Sequence, residues 1–549
     1  MRTTRSRDRA SMHRLPVEVQ DLVLLQLPKE AVLACRLVCR GFLSRATEIA
    51  FRHVELRSIR NLWHHPDVVG TPPHIESFRQ ISEAEHLRGL VHEVTLDAFE
   101  GYEASNYCGQ RPFLRVLPRL ACFRNLRTLN VRFNKIVQRE LVSHHHLFHV
   151  HNSRESTKFR LQVLHIAINA LSGAYTDKTP VNRTSPLFDP DKLYPQPGHP
   201  KFPNTDPRPI GLEGLTIANL SPYDAHLIDP GALRTILAAP SFRSLKLLVT
   251  RAGYERRGGE IMPRVHFLQP ENHHFYSRIP LAWLSPAVAQ NLRVLSLYDA
   301  HYWGWCPVMN FRAINPSGGG LPNLRVLALG RHVFAHDWQV DWIAGLAAAT
   351  NSTTPAAGLE ELYLDDCPII WHARIKNPHS GSMWYQPPSD PETEDLSFQL
   401  RWHDVLPRWR DAFAGSRLRV FSMGRGDWKG DAQAPEGAGG IRGTRARRGD
   451  GVFLSYDLPP PRKVRCGRFG FRYSYCPRRC EFPCGATPRY GVGLRPARKD
   501  VMQYIQFDLD PWPRGKWVEG IGGVDSDTKL LDDQALEDFM ETLGLHWSH

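Results

Sequence analysis

Leu292-Arg-Val-Leu295-Ser-Leu297 and Leu324-Arg-Val-Leu327-Ala-Leu329 are two copies of the stretch that decides the fold. Apolar residues alternate with other residues in its second half, which is typical of a half-buried β-strand. The same spacing, filled by Leu or another apolar residue, recurs at Val91–Leu96, Leu126–Val131, Leu161–Ile166, Leu212–Ile217, Leu359–Leu364 and Leu418–Met423. The stretch Leu245–Val249 fits it loosely, and Phe51–Leu56 could supply an opening strand.

Helical stretches are expected before several of these strands. They lie at Pro112–Phe123, Pro230–Ala239, Asp337–Ala349 and Leu400–Ala414. Each unit of strand and helix is too small to bury its own apolar face. Such units bury it by stacking on one another, which gives a solenoid. We therefore predict a mixed fold (α+β or α/β class) whose body, residues 51–430, is an irregular α/β solenoid that resembles the leucine-rich repeats. The alternative is an α/β domain whose buried strands happen to share leucines. Either sheet would offer a broad surface to a macromolecule.

Three insertions explain why copies of the repeat are separated by unequal steps of 32 to 59 residues. Residues 171–209 hold nine prolines, too many for regular structure. Residues 251–280 and 368–394 are rich in Pro, His and aromatic residues. Beyond the body we expect a basic Arg/Gly/aromatic segment at 431–499 and an acidic tail at 500–549 with a terminal helix.

The composition is that of a folded protein, because 42% of the 549 residues are apolar and 23% are charged. The formal net charge of +13 is unevenly distributed. Residues 438–499 carry 15 Lys or Arg against 3 Asp or Glu, whereas residues 500–549 carry 3 against 11. The body is nearly neutral, which argues against a nucleic-acid surface that covers it.

Neither a membrane nor a secreted location is indicated. No stretch approaches the ~20 apolar residues that cross a bilayer, and Met1–Arg9 lacks the apolar core of a secretory signal. Ten cysteines in a chain of this length do not make a disulfide framework, so reduced thiols are expected. We predict a protein of the cytoplasm or nucleus with no membrane partner.

The start of the chain has the pattern of two short helices. Leu15-Pro16-Val17-Glu18-Val19 opens the first helix, in which apolar residues recur at helical spacing, and Pro28 ends it. The second helix is predicted at Ala31–Phe42. Both helices are apolar over more than one side, and about 30 residues cannot bury that many large side chains among themselves. The pattern predicts a partner or a neighbouring domain.

These residues resemble the F-box. That motif runs as Leu-Pro-x-Glu-Ile, then an apolar helix closing on Leu, then a second helix ending in Val-Cys-Arg-x-Trp or -Phe. Here it stands in register, without gaps, as Leu15-Pro16-Val17-Glu18-Val19, Leu27-Pro28 and Leu37-Val38-Cys39-Arg40-Gly41-Phe42. The resemblance covers about one twelfth of the chain, looks like an F-box of fungal type, and implies a three-helix module over residues 12–50.

The F-box implies docking on the Skp-type adaptor of a Skp–cullin–F-box ubiquitin ligase. The implied adaptor-binding residues are Leu15, Pro16, Glu18, Val19, Leu27, Val38 and Phe42. The body would hold a protein target and the ligase chemistry would reside in other subunits. In keeping with a non-catalytic receptor, the sequence carries no phosphate loop, hydrolase elbow, zincin motif or dinucleotide fingerprint. The alternative is an interaction scaffold outside any ligase, in which the helices cap the body.

Two clusters contain residue types that bind metals. His144–His146, with His149 and His151, is best explained as a solvated loop or helix edge, because adjacent histidines cannot all face one ion. Cys466, Cys476, Cys480 and Cys484 could form a tetrahedral zinc site, but their gaps differ from the paired C-x-x-C form. Free thiols are the favoured interpretation, and no cofactor is predicted.

The basic segment also alternates aromatic residues, Phe469, Phe471, Tyr473 and Tyr475, with arginines. Such a strand could stack bases and neutralise phosphates, so binding of nucleic acid through residues 442–498 is a third hypothesis. The favoured interpretation is an amphipathic strand that covers the end of the repeats, with its charge balanced by the acidic tail.

Overall fold

The computed structural model describes residues 16–27, 29–38, 40–58, 73–98, 110–133, 137–138, 155–174, 208–222, 230–249, 254–257, 260–263, 270–347, 358–365, 367–376, 393–424, 473–475, 480–482, 502–509, 515–519 and 526–544. Their helices are α1 (Val17–Gln26), α2 (Lys29–Cys35), α3 (Arg40–Arg52), α4 (Pro73–Glu83), α5 (Glu85–Arg88), α6 (Gln110–Val116), α7 (Thr157–Ser172), α8 (Pro230–Leu237), α9 (Pro270–Arg278), α10 (Pro286–Ala289), α11 (Asp337–Gly345), α12 (Trp402–Phe413) and α13 (Ser526–Thr542).

The strands of the described residues divide among one large sheet and several small ones. They are β1 (His53–Arg57), β2 (Glu93–Asp97), β3 (Thr128–Arg132), β4 (Val137–Gln138), β5 (Glu155–Ser156), β6 (Gly214–Leu220), β7 (Ser244–Val249), β8 (Tyr254–Arg257), β9 (Glu260–Pro263), β10 (Val294–Trp303), β11 (Val326–His332), β12 (Glu361–Asp365), β13 (Ile369–Lys376), β14 (Thr393–Ser397), β15 (Val420–Gly424), β16 (Tyr473–Tyr475), β17 (Cys480–Phe482), β18 (Tyr504–Leu509) and β19 (Gly515–Glu519).

The large sheet has nine strands in the order β1-β2-β3-β6-β7-β10-β11-β12-β15, and its neighbours are parallel throughout. Each strand therefore pairs with the next strand of this sheet along the chain. Helical structure lies in every connection, for example α8 between β6 and β7, and α11 between β11 and β12. Between β10 and β11 it consists of two short 3-10 helices, Phe311–Ala313 and Pro316–Gly318. A parallel neighbour requires such a crossover, since a tight turn can only reverse the chain. The predicted mixed α/β fold is confirmed.

The register of the sheet aligns the second apolar residue of each copy of the stretch. From β2 to β15 this row reads Val94, Leu129, Leu215, Leu245, Leu295, Leu327, Leu362 and Phe421. All eight side chains are buried in one continuous apolar core. The loosely fitting stretch at 245–249 and the opening strand therefore both join the sheet, with Val54 of β1 paired to Val94.

The strand predicted at Leu161–Ile166 is wrong, because these residues lie in helix α7. Leu161 and Leu164 are three residues apart, which places them on one helix face as readily as in a strand motif. Leu161, Val163 and Leu164 are all buried, so the helix is enclosed on more than one side. The apolar run therefore reflects a buried helix that connects β3 to β6.

Asparagine side chains tie some successive turns of the chain together just before the strands. Asn125 donates from Nδ2 to the carbonyl oxygen of Gly89 over 2.6 Å. Asn323 makes the equivalent bond to the carbonyl oxygen of Gln290 over 2.7 Å. Each bond satisfies a turn carbonyl that the sheet ladder leaves unpaired. The turns thus stack in step with the strands.

A second sheet joins the C-terminal region to the body. Its order is β14-β13-β18-β19, so β18 pairs in parallel with β13, which lies in the predicted insertion at 368–394. The backbone N–H of Ile369 donates to the carbonyl oxygen of Gln503 over 3.0 Å. The described part of residues 500–549 thus belongs to the fold of the body.

The predicted terminal helix is present as α13, which packs on α12 at the far end of the large sheet. The Phe539 ring lies edge-on to that of Phe421, with centroids 4.9 Å apart. The Asp532 carboxylate accepts hydrogen bonds from the His403 backbone N–H over 2.8 Å and from the Tyr504 hydroxyl over 2.6 Å. Helix α13 therefore closes the apolar core.

The second N-terminal helix is shorter than predicted. Instead of one helix over Ala31–Phe42, the chain forms α2, a turn at residues 36–38, and α3. Helix α3 continues to Arg52 and leads directly into β1. The apolar period continues through the turn, which is why periodicity alone did not reveal the break.

Candidate functional site

The three N-terminal helices enclose a small core of their own. Val32 of α2 is buried with Ala46 and Ala50 of α3. Leu24 of α1 and Phe42 of α3 are buried as well. Half-buried apolar residues surround these positions: Leu27, Leu33, Cys35, Ile49 and Phe51. The centre of this module is made largely of small side chains, so much of its larger aliphatic surface must lie elsewhere.

Polar contacts fix the helices of the module to one another. Arg45 of α3 donates from Nε to Oδ1 of Asp21 on α1 over 3.0 Å. Arg36, after α2, donates from Nε to Oγ1 of Thr47 over 2.9 Å, and its guanidinium lies 5.2 Å from the ring centroid of Phe51. These contacts hold α1 and the end of α2 in fixed positions relative to α3.

The module is also attached to the large sheet. Helix α3 ends at Arg52 and β1 begins at the next residue, His53. Lys29 of α2 donates from Nζ to the carbonyl oxygen of His53 over 3.2 Å. These contacts join the module to the first strand.

Helix α1 is apolar on two opposite sides. Leu24 faces inward and is fully buried. Val19, Leu22 and Leu25 follow one another at three-residue spacing, which places them along one side of the helix. That side faces solvent, with Leu22 60% exposed.

The turn between α2 and α3 carries the most exposed aliphatic residues of the module. Leu37 is 88% exposed and Val38 is 68% exposed. Their backbone N–H groups donate to the carbonyl oxygens of Ala34 and Cys35 over 3.0 and 3.2 Å, which gives the turn a defined geometry. Two neighbouring apolar side chains are thus held out in water.

Seven of the eleven exposed large aliphatic residues in the described part of the chain lie within residues 17–43. We call them the module's apolar surface: Val17, Val19, Leu22, Leu25, Leu37, Val38 and Leu43. Single exposed aliphatics are ordinary on a protein surface, whereas a concentration of them marks an interaction site. This concentration makes the module the candidate functional site.

The residues predicted to bind an adaptor fall into different environments. Pro16, Glu18, Val19 and Val38 are exposed, and Leu27 is half-buried in the module. Phe42 is only 5% exposed, so it holds α3 in place and offers little surface to a partner. Leu15 lies outside the described residues.

Five members of the module's apolar surface were missing from the predicted docking set: Val17, Leu22, Leu25, Leu37 and Leu43. Their apolar character is plain in the sequence, but their exposure depends on how the three helices pack. Because α1 is apolar on both sides, its sequence does not show which side faces the core.

The polar face of the large sheet holds a buried charge network. Arg132 of β3 is 2% exposed and pairs with Glu55 of β1 and, over 3.1 Å, with Asp97 of β2. Burial alone would raise the pKa of Glu55, but the charge of Arg132 and contacts with Arg57 lower it to about 2. The network ties three strands together and lies within the body.

Lys246 of β7 is a second buried charge on this face. Burial lowers its pKa to about 7, against the opposing effect of Glu93. Burial likewise raises the pKa of Glu93, which accepts a hydrogen bond from Asn130 Nδ2 over 2.7 Å. Both groups shift toward their uncharged forms, as expected for charges removed from water.

Among the described residues, no three His, Cys, Asp or Glu side chains are grouped so that they could hold a metal ion. Cys480 lies in strand β17, whereas Cys466, Cys476 and Cys484 lie outside the described residues, as do the histidines of residues 144–151. The backbone at Tyr473–Tyr475 forms the strand expected there and pairs with β17. None of the described helices has the length and apolar character needed to cross a bilayer.

Comparison with known proteins does not assign a role to the candidate site. No family model matches this sequence, and no curated protein matches it.

Proposed function

We propose that this chain is the substrate-recognition subunit of a Skp–cullin–F-box ubiquitin ligase, which docks on a Skp-type adaptor through its N-terminal module. The observation that carries the proposal is the module's apolar surface, where Leu22, Leu37 and Val38 are each at least 60% exposed. It occupies the residues whose spacing resembles the F-box. The cytoplasm or nucleus would be its location.

Burial of aliphatic side chains supplies the free energy for such docking. Fully burying one Leu or Val side chain contributes about 1.5–3 kcal/mol relative to leaving it exposed. The turn residues Leu37 and Val38 and the outer side of α1 together offer several such anchors. Interfaces of this kind depend on a few central residues, so losing one commonly weakens binding by about thirtyfold or more.

The body would then hold the protein target as a leucine-rich-repeat-like solenoid. Support comes from the nine parallel strands that pair in chain order and from the helical connection between each pair. A receptor that positions a target needs no catalytic nucleophile of its own. The cullin complex would supply the ligase chemistry.

One observation favours a second candidate, an interaction scaffold in which the module only caps the sheet. Helix α3 runs into β1 without a linker, and Lys29 bonds to the backbone of that strand. If the module is only a cap, polar substitutions on its solvent-facing side should not affect how it covers the sheet. The two candidates therefore differ in what changes at the module's apolar surface should do.

Capture of a purified Skp-type adaptor by the full chain distinguishes the ligase subunit from the scaffold. We expect the wild type to capture adaptor and Leu22→Asp/Leu25→Asp to lose capture, because charges would replace apolar anchors. The matched control is Leu530→Asp/Leu531→Asp on α13, where both leucines are exposed as well. It should capture adaptor as well as the wild type does.

Circular dichroism would establish that each variant is folded. Folded Leu22→Asp/Leu25→Asp that captures as much adaptor as the wild type would refute docking through this surface. A wild type that captures none would refute the proposed function and favour the cap.

A further inference from the structure

Nine residues immediately precede the nine strands of the large sheet and form one continuous row. In sheet order they are Arg52, His92, Arg127, Glu213, Arg243, Arg293, Arg325, Glu360 and Arg419. The carbonyl oxygen of each accepts a hydrogen bond from the backbone N–H of the next, over 2.7 to 2.9 Å. Neighbouring members are thus about 4.8 Å apart, the spacing of adjacent strands. We call this line the arginine row.

Positive charge predominates in the arginine row, which contains six arginines and two glutamates. Both glutamates are already paired with arginines of the row. Glu213 lies 3.5 Å from Arg127, and Glu360 lies 3.6 Å from Arg325 and 3.3 Å from Arg419. The row therefore carries more positive charge than its own acids can balance.

The excess is concentrated at the centre, where Arg243, Arg293 and Arg325 precede the adjacent strands β7, β10 and β11. Arg293 is exposed and, within the described residues, makes no ion pair. Arg243 is half-buried and donates from Nη1 to the carbonyl oxygen of Phe242 over 2.9 Å. Three arginines thus lie side by side at the N-terminal ends of three adjacent central strands.

We propose that the centre of the arginine row binds a short acidic segment of a protein partner in an extended conformation. This inference rests on the proposed function and deepens it, because the segment would belong to the target held on the body. An extended peptide places alternate side chains on one side, about 7 Å apart. Neighbouring arginines of the row start only about 4.8 Å apart, but their side chains are long and flexible enough to spread to carboxylates at that wider spacing. Guanidinium groups pair with carboxylates through two parallel hydrogen bonds.

The charge pattern of the row favours a short acidic peptide over a nucleic acid. Glu213 precedes the strand on one side of the central arginines, and Glu360 precedes the strand on the other side. A nucleic acid carries regularly spaced phosphates, so a strand lying along the row would bring phosphates against both carboxylates. A peptide whose acidic stretch is short would meet the three arginines and avoid both.

Fluorescence anisotropy of a labelled eight-residue Gly-Ser peptide with Asp-Ser-Asp at its centre (the Asp-Ser peptide), titrated with the full chain, tests this. We expect the wild type to bind this peptide, more weakly as salt is raised, and to bind the matching Asn-Ser peptide far less. Arg243→Gln/Arg293→Gln/Arg325→Gln should bind the Asp-Ser peptide about tenfold more weakly, or worse, because each change removes a charged hydrogen-bond donor.

The control variant is Arg115→Gln/Arg234→Gln/Arg278→Gln, which removes three exposed arginines from helices α6, α8 and α9. Both variants lose three positive charges, so general electrostatic attraction weakens equally in each. We expect the control to lose only this general attraction and therefore to bind the peptide several times more tightly than the row variant does. Equal weakening in both variants, equal binding of the Asp-Ser and Asn-Ser peptides, or tighter binding of a thymidine pentanucleotide than of the Asp-Ser peptide would overturn the inference.

Adaptor capture by the same variants separates this inference from the proposed function. The arginine row lies outside the module's apolar surface, so the row variant should capture adaptor normally. Peptide binding that is lost in the row variant, in a chain that captures no adaptor, would support the arginine row and refute the proposed function.

Discussion

Leucines of the large sheet and leucines of the N-terminal module are the same residue type in opposite environments. Leu295, Leu327 and Leu362 are fully buried in the core of the body. Leu22 and Leu37 of the module are 60% and 88% exposed. Helices and neighbouring strands enclose each sheet leucine, whereas the three short helices of the module bury only five apolar side chains: Leu24, Val32, Phe42, Ala46 and Ala50.

The difference separates stability from binding. Apolar side chains that are buried already stabilise the folded chain, and exposed ones can contribute only when something else covers them. The body buries its leucines by folding, whereas the exposed leucines of the module would be buried only by the partner that we propose. Changes in the two regions should consequently appear in different measurements.

The largest effect is expected from the polar interior of the body. Arg132→Met would remove the buried partner of Glu55 and Asp97 on β1 and β2, and would leave the more exposed Arg57 as their remaining ion-pair partner among the described residues. Removing one partner of a buried ion pair commonly destabilises a protein by about 3–5 kcal/mol. Denaturant unfolding would measure this change. As a control, Arg127→Met removes an arginine that is 55% exposed, and its effect should be well below 1 kcal/mol. Similar effects of the two changes would show that the Arg132 network is not a buried charge pair.

The repeated leucines come next. Leu327→Ala and Leu362→Ala should each lower the free energy of unfolding by about 2–5 kcal/mol, because each removes a fully buried side chain and leaves a cavity. Thermal or denaturant unfolding measures the effect. If both variants unfold like the wild type, these residues do not form the core of stacked repeats.

A pH-dependent effect is expected from Lys246. Its pKa of about 7 in the folded chain lies below the ordinary value of 10.5, so the folded state binds fewer protons than the unfolded state between these values. Stability should therefore rise with pH from about 7 to 10.5, on the order of 2–3 kcal/mol by pH 9.5. Lys246→Met should lack this rise. Parallel pH profiles for the two proteins would contradict a buried, deprotonating lysine.

The smallest effect on stability is expected in the module. Leu37→Ser should change the free energy of unfolding by less than about 0.5 kcal/mol, since an exposed turn residue loses few contacts. Unfolding curves measured beside those of Leu327→Ala would make the comparison direct. A loss as large as that of the sheet leucine would mean that Leu37 is covered within the folded chain.

The strands were predictable because alternation of apolar residues has a local cause. In a strand such as β11, Leu327 and Leu329 point to the core and Ala328 points to the other face, so the pattern follows from geometry. The helix at Leu161–Ile166 was not predictable in this way. Its Leu-x-x-Leu spacing satisfies a helix face as well as the repeat motif, and only packing decides between them.

The candidate site was predictable in location but not in detail. An excess of apolar residues before residue 50 could be counted in the sequence, and this excess indicated a partner. Which residues face outward depends on three-dimensional packing. Phe42 of α3 is buried, whereas Leu37 projects from a turn that could not be predicted because the apolar period continues through it.

The central claim is that the module's apolar surface is a docking site for a Skp-type adaptor. The most direct test is the affinity of the purified adaptor for the full chain, measured by isothermal titration calorimetry before and after Leu37→Asp/Val38→Asp. We predict that the wild type binds with a negative heat-capacity change, as burial of apolar surface requires. The variant, with an unchanged unfolding transition, should bind at least about thirtyfold more weakly. Equal affinity of the two proteins, or no binding by the wild type, would contradict the claim.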